Sequence, residues 1–159
     1  MSRQYKYSMD AGALITAHRF RYSMDIFPSW WAWVDNLITQ DMLFLCIETY
    51  NEITPGDPLY VWAQQKKQTN PNFVRQTGSS ETQIWSGLPN RVPKLSHPSS
   101  AKGPDRFIIA HAYATGAAVV TEERRSGGPH VVKIPDVCQQ LNIECINLLD
   151  FMRREGASF

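Results

Sequence analysis

Gly103 to Glu123 reads GPDRFIIAHAYATGAAVVTEE, and these residues decide the fold. Asp105 stands in the first turn after Pro104, apolar residues recur at Phe107, Ile108, Ala110, Ala112 and Ala114, and Gly116 closes the helix. Ala117 to Thr121 is then a short Val-rich run of the kind covered on both faces of a sheet. A helix feeding a buried strand is the crossover of a parallel α/β sheet. Acids mark both ends of this unit: Asp105 opens the helix, and Glu122 and Glu123 follow the strand's carboxyl end, where open α/β sheets bind their ligands.

Working outward, the rest of the chain supplies similar units. Gln4 to Met9 reads as a strand that ends on Asp10, with Leu14, Ile15 and Ala17 as the buried side of the helix that follows. Pro28 and Ser29 announce a second helix, with Ser29 as N-cap, and Trp30, Trp33, Val34, Leu37 and Ile38 keep helical spacing while Trp31 is left over. Core packing explains this aromatic stripe better than a partner-binding face. Met42 to Ile47 is apolar enough for a strand, and the ETYNEI that follows puts Glu48 and Glu52 on one helix face. Asp57 to Lys67 reads as a helix begun by Asp-Pro, with Leu59 and Val61 or Trp62 inward.

From about residue 68 to 104 the chain is rich in Asn, Ser, Pro and Thr, with Lys66, Lys67, Arg75, Arg91, Lys94 and Lys102 along it. Short helices are expected around Asn72 to Gln76 and Thr82 to Leu88, then an irregular loop from Pro89 to Pro104, a long insertion of the sort that carries function. After RRSGGPH, KIPDVCQQL predicts a helix, Glu144 to Ile146 a strand, and Asn147 the cap of a last helix through Arg154 that stops at Gly156. The element order predicts a mainly parallel sheet with helices on both faces.

Composition narrows the function. The 159 residues are sized for a single domain, 1–159; at 43% hydrophobic, 19% charged and a net charge of +1 they read as neither disordered nor a basic polyanion clamp. Cys46, Cys138 and Cys145 form no CxxC pair and have no histidine at zinc-finger spacing, so buried thiols in a reducing cytoplasm are expected. The N-terminal MSRQYKYSMD lacks a signal-peptide core, and no segment approaches the roughly 18 apolar residues that cross a bilayer. A soluble, unprocessed chain away from membranes follows.

Asp10, Glu48 or Glu52, Asp105, and Glu122 or Glu123 all fall at strand ends or helix starts. The first strand and the strand after the crossover helix are expected to be neighbours, which brings Asp10 and Glu123 to one edge with Asp105 close by. Carboxylates within about 4 Å repel by roughly 1–4 kcal/mol per pair. A hard divalent cation with oxygen ligands, Mg²⁺ or Mn²⁺, offsets that repulsion. Competing chemistries are poorly represented: His111 lies inside the central helix, His18, His97 and His130 have no zinc spacing, and Gly127-Gly128 lacks the lysine of a phosphate-binding loop.

YSMDAGALI, ETYNEI, PDRFIIAHA, VVTEE and the closing KIPDVCQQLNIECINLLDFMRREG together resemble, in order, the acid-bearing segments and C-terminal region of PIN-like proteins, the family of the VapC-type toxin ribonucleases. The closing segment looks like that of a subfamily whose function is not established, and the middle, Gln64 to Lys102, has no counterpart. The resemblance implies a three-layer α/β/α fold with a mainly parallel central sheet, a Mg²⁺ or Mn²⁺ site, and cytoplasmic endoribonuclease activity on RNA. It also implies the toxin role of a toxin–antitoxin pair, with an antitoxin partner and a homodimer. In its terms Asp10 is the first metal ligand, Glu52 the second acid with Glu48 close behind, Asp105 the third and Glu123 the fourth, and Asp136 is a cap or supporting group. Two positions depart: Gly12 stands where the family has Ser or Thr, and Glu123 where it has aspartate. A non-catalytic PIN-like module that binds RNA or a protein is the alternative these departures motivate.

Overall fold

The computed structural model describes residues 5–96, 100, 103–128 and 131–159. Gln4, His97, Lys102 and His130 lie outside the described residues. The strands are β1 (Tyr7–Met9), β2 (Leu43–Cys46), β3 (Val74–Arg75), β4 (Ala118–Val120) and β5 (Cys145–Ile146). They form one five-stranded sheet in the order β3-β2-β1-β4-β5, and every pairing is parallel. The helices are α1 (Ala11–Thr16), α2 (Pro28–Thr39), α3 (Ile47–Tyr50), α4 (Pro58–Thr69), α5 (Ser79–Arg91), α6 (Pro104–Thr115), α7 (Ile134–Gln140) and α8 (Leu148–Arg154), with a π-helical turn at Ala17–Arg21 and a 3₁₀ turn at Pro93–Ser96.

Alternation along the strands sorts the helices into two layers. Tyr7, Met9, Leu43, Leu45, Ala118 and Val120 face a core shared with α1, α2, α4 and α8, while Cys46 and Val119 face one shared with α5, α6 and α7. The protein is therefore a three-layer α/β/α sandwich, the expected class. Chain order runs outward from β1 through β2 to β3 and then returns to β4 on the other side of β1. That reversal opens a crevice at the carboxyl ends of β1 and β4.

Several local expectations change in the folded chain. Pro28 is the first residue of α2 and Phe27 precedes it as the cap, so Ser29 lies inside the first turn, where proline's missing N–H costs nothing. Trp31, left over by spacing, is 4% exposed; its indole N–H donates to the Tyr22 carbonyl at 2.6 Å and its ring meets Trp62 edge-on at 5.0 Å. Trp33 is only half-buried, at the margin of the core, with its ring 5.2 Å from that of Phe151. The helix expected at Asn72 to Gln76 is instead β3, which docks on the free edge of β2: Leu45 N–H donates to the Phe73 carbonyl at 2.8 Å. The described residues of the stretch 68–104 are less irregular than their composition suggests. α5 runs to Arg91 with Pro89 in its last turns, and Trp85 stacks on Phe107 of α6 with ring centroids 5.4 Å apart.

Replacing Trp31 with Ala leaves a cavity under α2 and an unmatched Tyr22 carbonyl. The expected cost is about 3–5 kcal/mol, read by urea denaturation. Trp33→Ala, at a half-buried site, is expected to cost clearly less.

Candidate metal centre of clustered carboxylates

Asp10 follows β1 directly and caps α1, accepting from the Gly12 N–H at 2.9 Å. Its other oxygen accepts from the Thr121 hydroxyl at 2.8 Å, just past β4. The same Thr121 oxygen accepts from the Glu123 N–H at 3.1 Å, so one threonine fixes Asp10 and the backbone of Glu123 together. A second threonine does the equivalent on the β2 side. Thr49, fully buried in α3, accepts from the Ala11 N–H at 2.9 Å and donates to Glu52 at 3.1 Å. Asp105 stands in the first turn of α6, above the crevice.

The four side chains feel one another. Burial raises the proton affinity of Asp10, against the hydrogen bonds from Gly12 and Thr121 that favour its charge. Burial comes first for Glu52 and Glu123 as well, and the Asp10 charge raises both further. Asp105 is pushed up to about 7, by burial and then by Glu123, Asp10 and Glu52, with Lys133 pulling the other way. Asp10, Glu52, Asp105 and Glu123 are therefore one electrostatic cluster. Its donors are carboxylate and hydroxyl oxygens, the types a hard divalent cation takes, but no three of these carboxylates present ligand atoms within 4.8 Å of one another, so a cation would have to draw them together or be bridged by water.

Glu48 lies elsewhere. α3 is a single turn ending at Tyr50, so Glu48 and Glu52 do not share a continuous helix face as their four-residue spacing suggests. Glu48 instead accepts from the Thr77 hydroxyl at 2.6 Å, beside His111 of α6. Cys46, Glu48 and His111 each present a possible ligand atom within 4.8 Å of the others, a second group with the makings of a metal site. Asp136 is a helix cap, accepting from Lys133 N–H at 2.8 Å and Ser126 N–H at 3.1 Å. Glu122, largely covered, pairs with Arg21 at 3.1 Å.

Gly12 has a steric reason. A Cβ there would sit 3.2 and 3.3 Å from the two Asp10 oxygens, so the carboxylate that folds back onto its own helix leaves little room for a side chain. Thr49 and Thr121 are the residues that sequence reasoning missed as site members. Their signals were Thr49-x-x-Glu52, a capping-box spacing, and Thr121-x-Glu123, a hydroxyl two residues before a backbone N–H.

Comparison with known proteins bears on the family and the fold. The profile of a family described as Domain of unknown function (DUF4411) matches residues 7–159. The chain belongs to that family. No curated protein matches it. In three dimensions it is similar to the crystal structure of VapBC2 from Rickettsia felis bound to a DNA fragment from their promoter. The TM-score is 0.56 at 14% identity, over 89% of this chain and 97% of that one. That likeness shows the PIN-like fold for this DUF4411 member.

The cluster fixes a pH dependence. Each of these carboxyls binds its proton more tightly folded than unfolded, so the folded state holds the extra protons and its stability falls as pH rises. For Asp105 the window runs from its ordinary 3.8 to about 7. In EDTA, Asp105→Asn is expected to raise the melting midpoint near pH 8 by roughly 2–4 °C, and to change it little near pH 4. Thermal denaturation across that range checks the sign.

Proposed function

We propose that this protein is a Mg²⁺- or Mn²⁺-dependent endoribonuclease, acting in the cytoplasm as the toxin of a toxin–antitoxin pair. The observation that carries this reading is the convergence of Asp10, Glu52, Asp105 and Glu123 at the carboxyl ends of β1, β2 and β4, each with a proton affinity raised first by burial, and Glu52, Asp105 and Glu123 raised further by the acids beside them. Repulsion of this kind, in a fold that exposes the cluster to a crevice, is relieved by a doubly charged cation. A bound divalent ion supplies an acidified water and draws charge from a phosphate oxygen.

The chain's own residues do the rest. Thr121 and Gly12 hold Asp10 with one oxygen each, which leaves its remaining lone pairs for a cation. Thr49 orients Glu52 in the same way. Asp105, in the first turn of α6, would orient an attacking water and help take its proton; a bound cation would favour its charged form and lower its proton affinity from the metal-free value of about 7. Lys133 lowers the proton affinity of both Asp105 and Glu123, and so stands near the place where negative charge builds on a phosphate.

A nucleic-acid substrate is favoured by the arginines next to Glu123. Arg19, Arg21, Arg75, Arg153 and Arg154 are each ion-paired, whereas Arg124 and Arg125 make no ion pair among the described residues. Arg124 lines two clefts, of about 220 and 400 Å³, that share Glu123 and Asn147. Phosphates on either side of the cleaved bond would meet these two cations. For the antitoxin, or a second copy of this chain, the exposed Phe20, Ile26 and Phe27 beside the crevice are the surface to cover. The absence of a hydroxyl at Gly12 is what motivates the second reading, a binding module that has lost catalysis.

Asp10→Asn and Asp105→Asn are each expected to lower Mn²⁺-dependent cleavage of RNA by about 10²-fold or more, with circular dichroism unchanged. Full activity in both variants would remove the assignment, and a wild type that neither cleaves nor gains thermal stability with Mn²⁺ would favour the binding module. Arg124→Ala with Arg125→Ala is expected to weaken RNA binding. The slope of log K against log salt should fall by roughly 0.7 for each lost single-strand phosphate contact, measured by anisotropy on the Asp10→Asn background.

A further inference from the structure

Cys46, Glu48 and His111 look like ligands by distance, but hydrogen placement decides against a metal there. Arg75 Nη1 lies 2.7 Å from His111 Nδ1 and 2.5 Å from Glu81 Oε1. Arginine can only donate, so Nδ1 is an acceptor and the ring hydrogen sits on Nε2. Nε2 faces the Thr77 hydroxyl at 2.9 Å, and Thr77 in turn lies 2.6 Å from Glu48 Oε2. A hydroxyl has a single hydrogen, and the carboxylate must receive it. The chain therefore runs one way: Arg75 to His111, His111 to Thr77, Thr77 to Glu48.

This direction leaves the nitrogen facing Glu48 and Cys46 without a lone pair for a cation. Burial pushes the Cys46 thiol up to about 12, and burial with the adjacent Arg75 charge holds His111 down at about 4, so thiol and neutral ring are the resident forms. Every group in the relay is satisfied by its neighbour, with Arg75 also bonded to the buried Glu81.

The relay joins separate parts of the chain. Glu48 is in the first turn of α3, Thr77 follows β3, and His111 lies on α6 six residues beyond Asp105, about 9 Å along the axis. α3 is only four residues long, too short to hold its own orientation by internal hydrogen bonds. Yet its rotation decides whether Thr49 reaches Ala11 N–H and whether Glu52 turns towards Asp10 and Asp105.

We infer that Arg75, His111, Thr77 and Glu48 form a one-way hydrogen-bond clamp that locks α3 against α6 and thereby holds Glu52 opposite Asp105. These are positioning residues, and Thr77 is the link with a single replaceable atom. The consequence for metal binding rests on the nuclease reading above; the clamp itself does not.

The test compares Thr77→Val, which keeps the shape and deletes the hydroxyl, with Thr77→Ser, which keeps the hydroxyl. By hydrogen exchange without metal, the amides of residues 49–52 are expected to exchange roughly tenfold faster in Thr77→Val, from the lost bond to a charged group, and as in the wild type in Thr77→Ser. Mn²⁺ affinity by calorimetry is expected to fall about 10–100-fold in Thr77→Val and to be kept in Thr77→Ser and Cys46→Ser. Unchanged exchange in Thr77→Val overturns the clamp, and so does Mn²⁺ binding lost in Cys46→Ser, which would make the thiol a ligand. If the wild type takes up no Mn²⁺ while exchange still responds to Thr77→Val, the nuclease reading falls and the clamp stands. Thr77→Ala, which removes the hydroxyl without setting a methyl against Glu48, replaces Thr77→Val if that variant does not fold, with the same expected results.

Discussion

Like charge held out of water governs this molecule. Asp10 is anchored by its own helix and by Thr121, so it cannot swing away from Glu52, Asp105 and Glu123. A chain folding without a counter-ion must keep protons on this cluster or tolerate the repulsion. The proton affinity of Asp105, raised to about 7, records that tension.

The sheet makes the convergence possible. Because β1 is central and the chain reverses between its two halves, the residues that leave β1 and β4 emerge side by side, and α3 leaves β2 next to them. Threonines at two of these exits replace the missing backbone pairing and point the carboxylates inward. On the opposite side of α3 a histidine packs in the core, kept neutral by burial and then by the arginine beside it. One short helix thus separates a cluster of carboxylates from a hydrogen-bonded network in which Arg75 faces Glu81 and a neutral His111.

Much of the architecture was legible in the sequence. The helix–glycine–Val-rich strand unit, Asp-Pro at the start of α4 and Asn147 at the start of α8 report local backbone preference, and each stands where it was expected. Patterns failed where burial comes from several directions. Trp31 and Ile109 break a single-stripe helix rule because α2 and α6 are covered on more than one side, and β3 is a strand because the edge of β2 needs a partner.

The sequence by itself determined that acids punctuate the ends of alternating strands and helices, since capping, turn chemistry and hydrophobic period are properties of neighbours along the chain. Only the tertiary structure decided that Glu52 joins Asp10 while Glu48 turns to Thr77, and that His111 accepts from Arg75 rather than presenting a free nitrogen. These choices depend on how far a four-residue helix rotates between two layers, and on which donor arrives from β3 and its following loop. No pattern in one dimension encodes that rotation, because it is set by contacts between residues more than thirty positions apart.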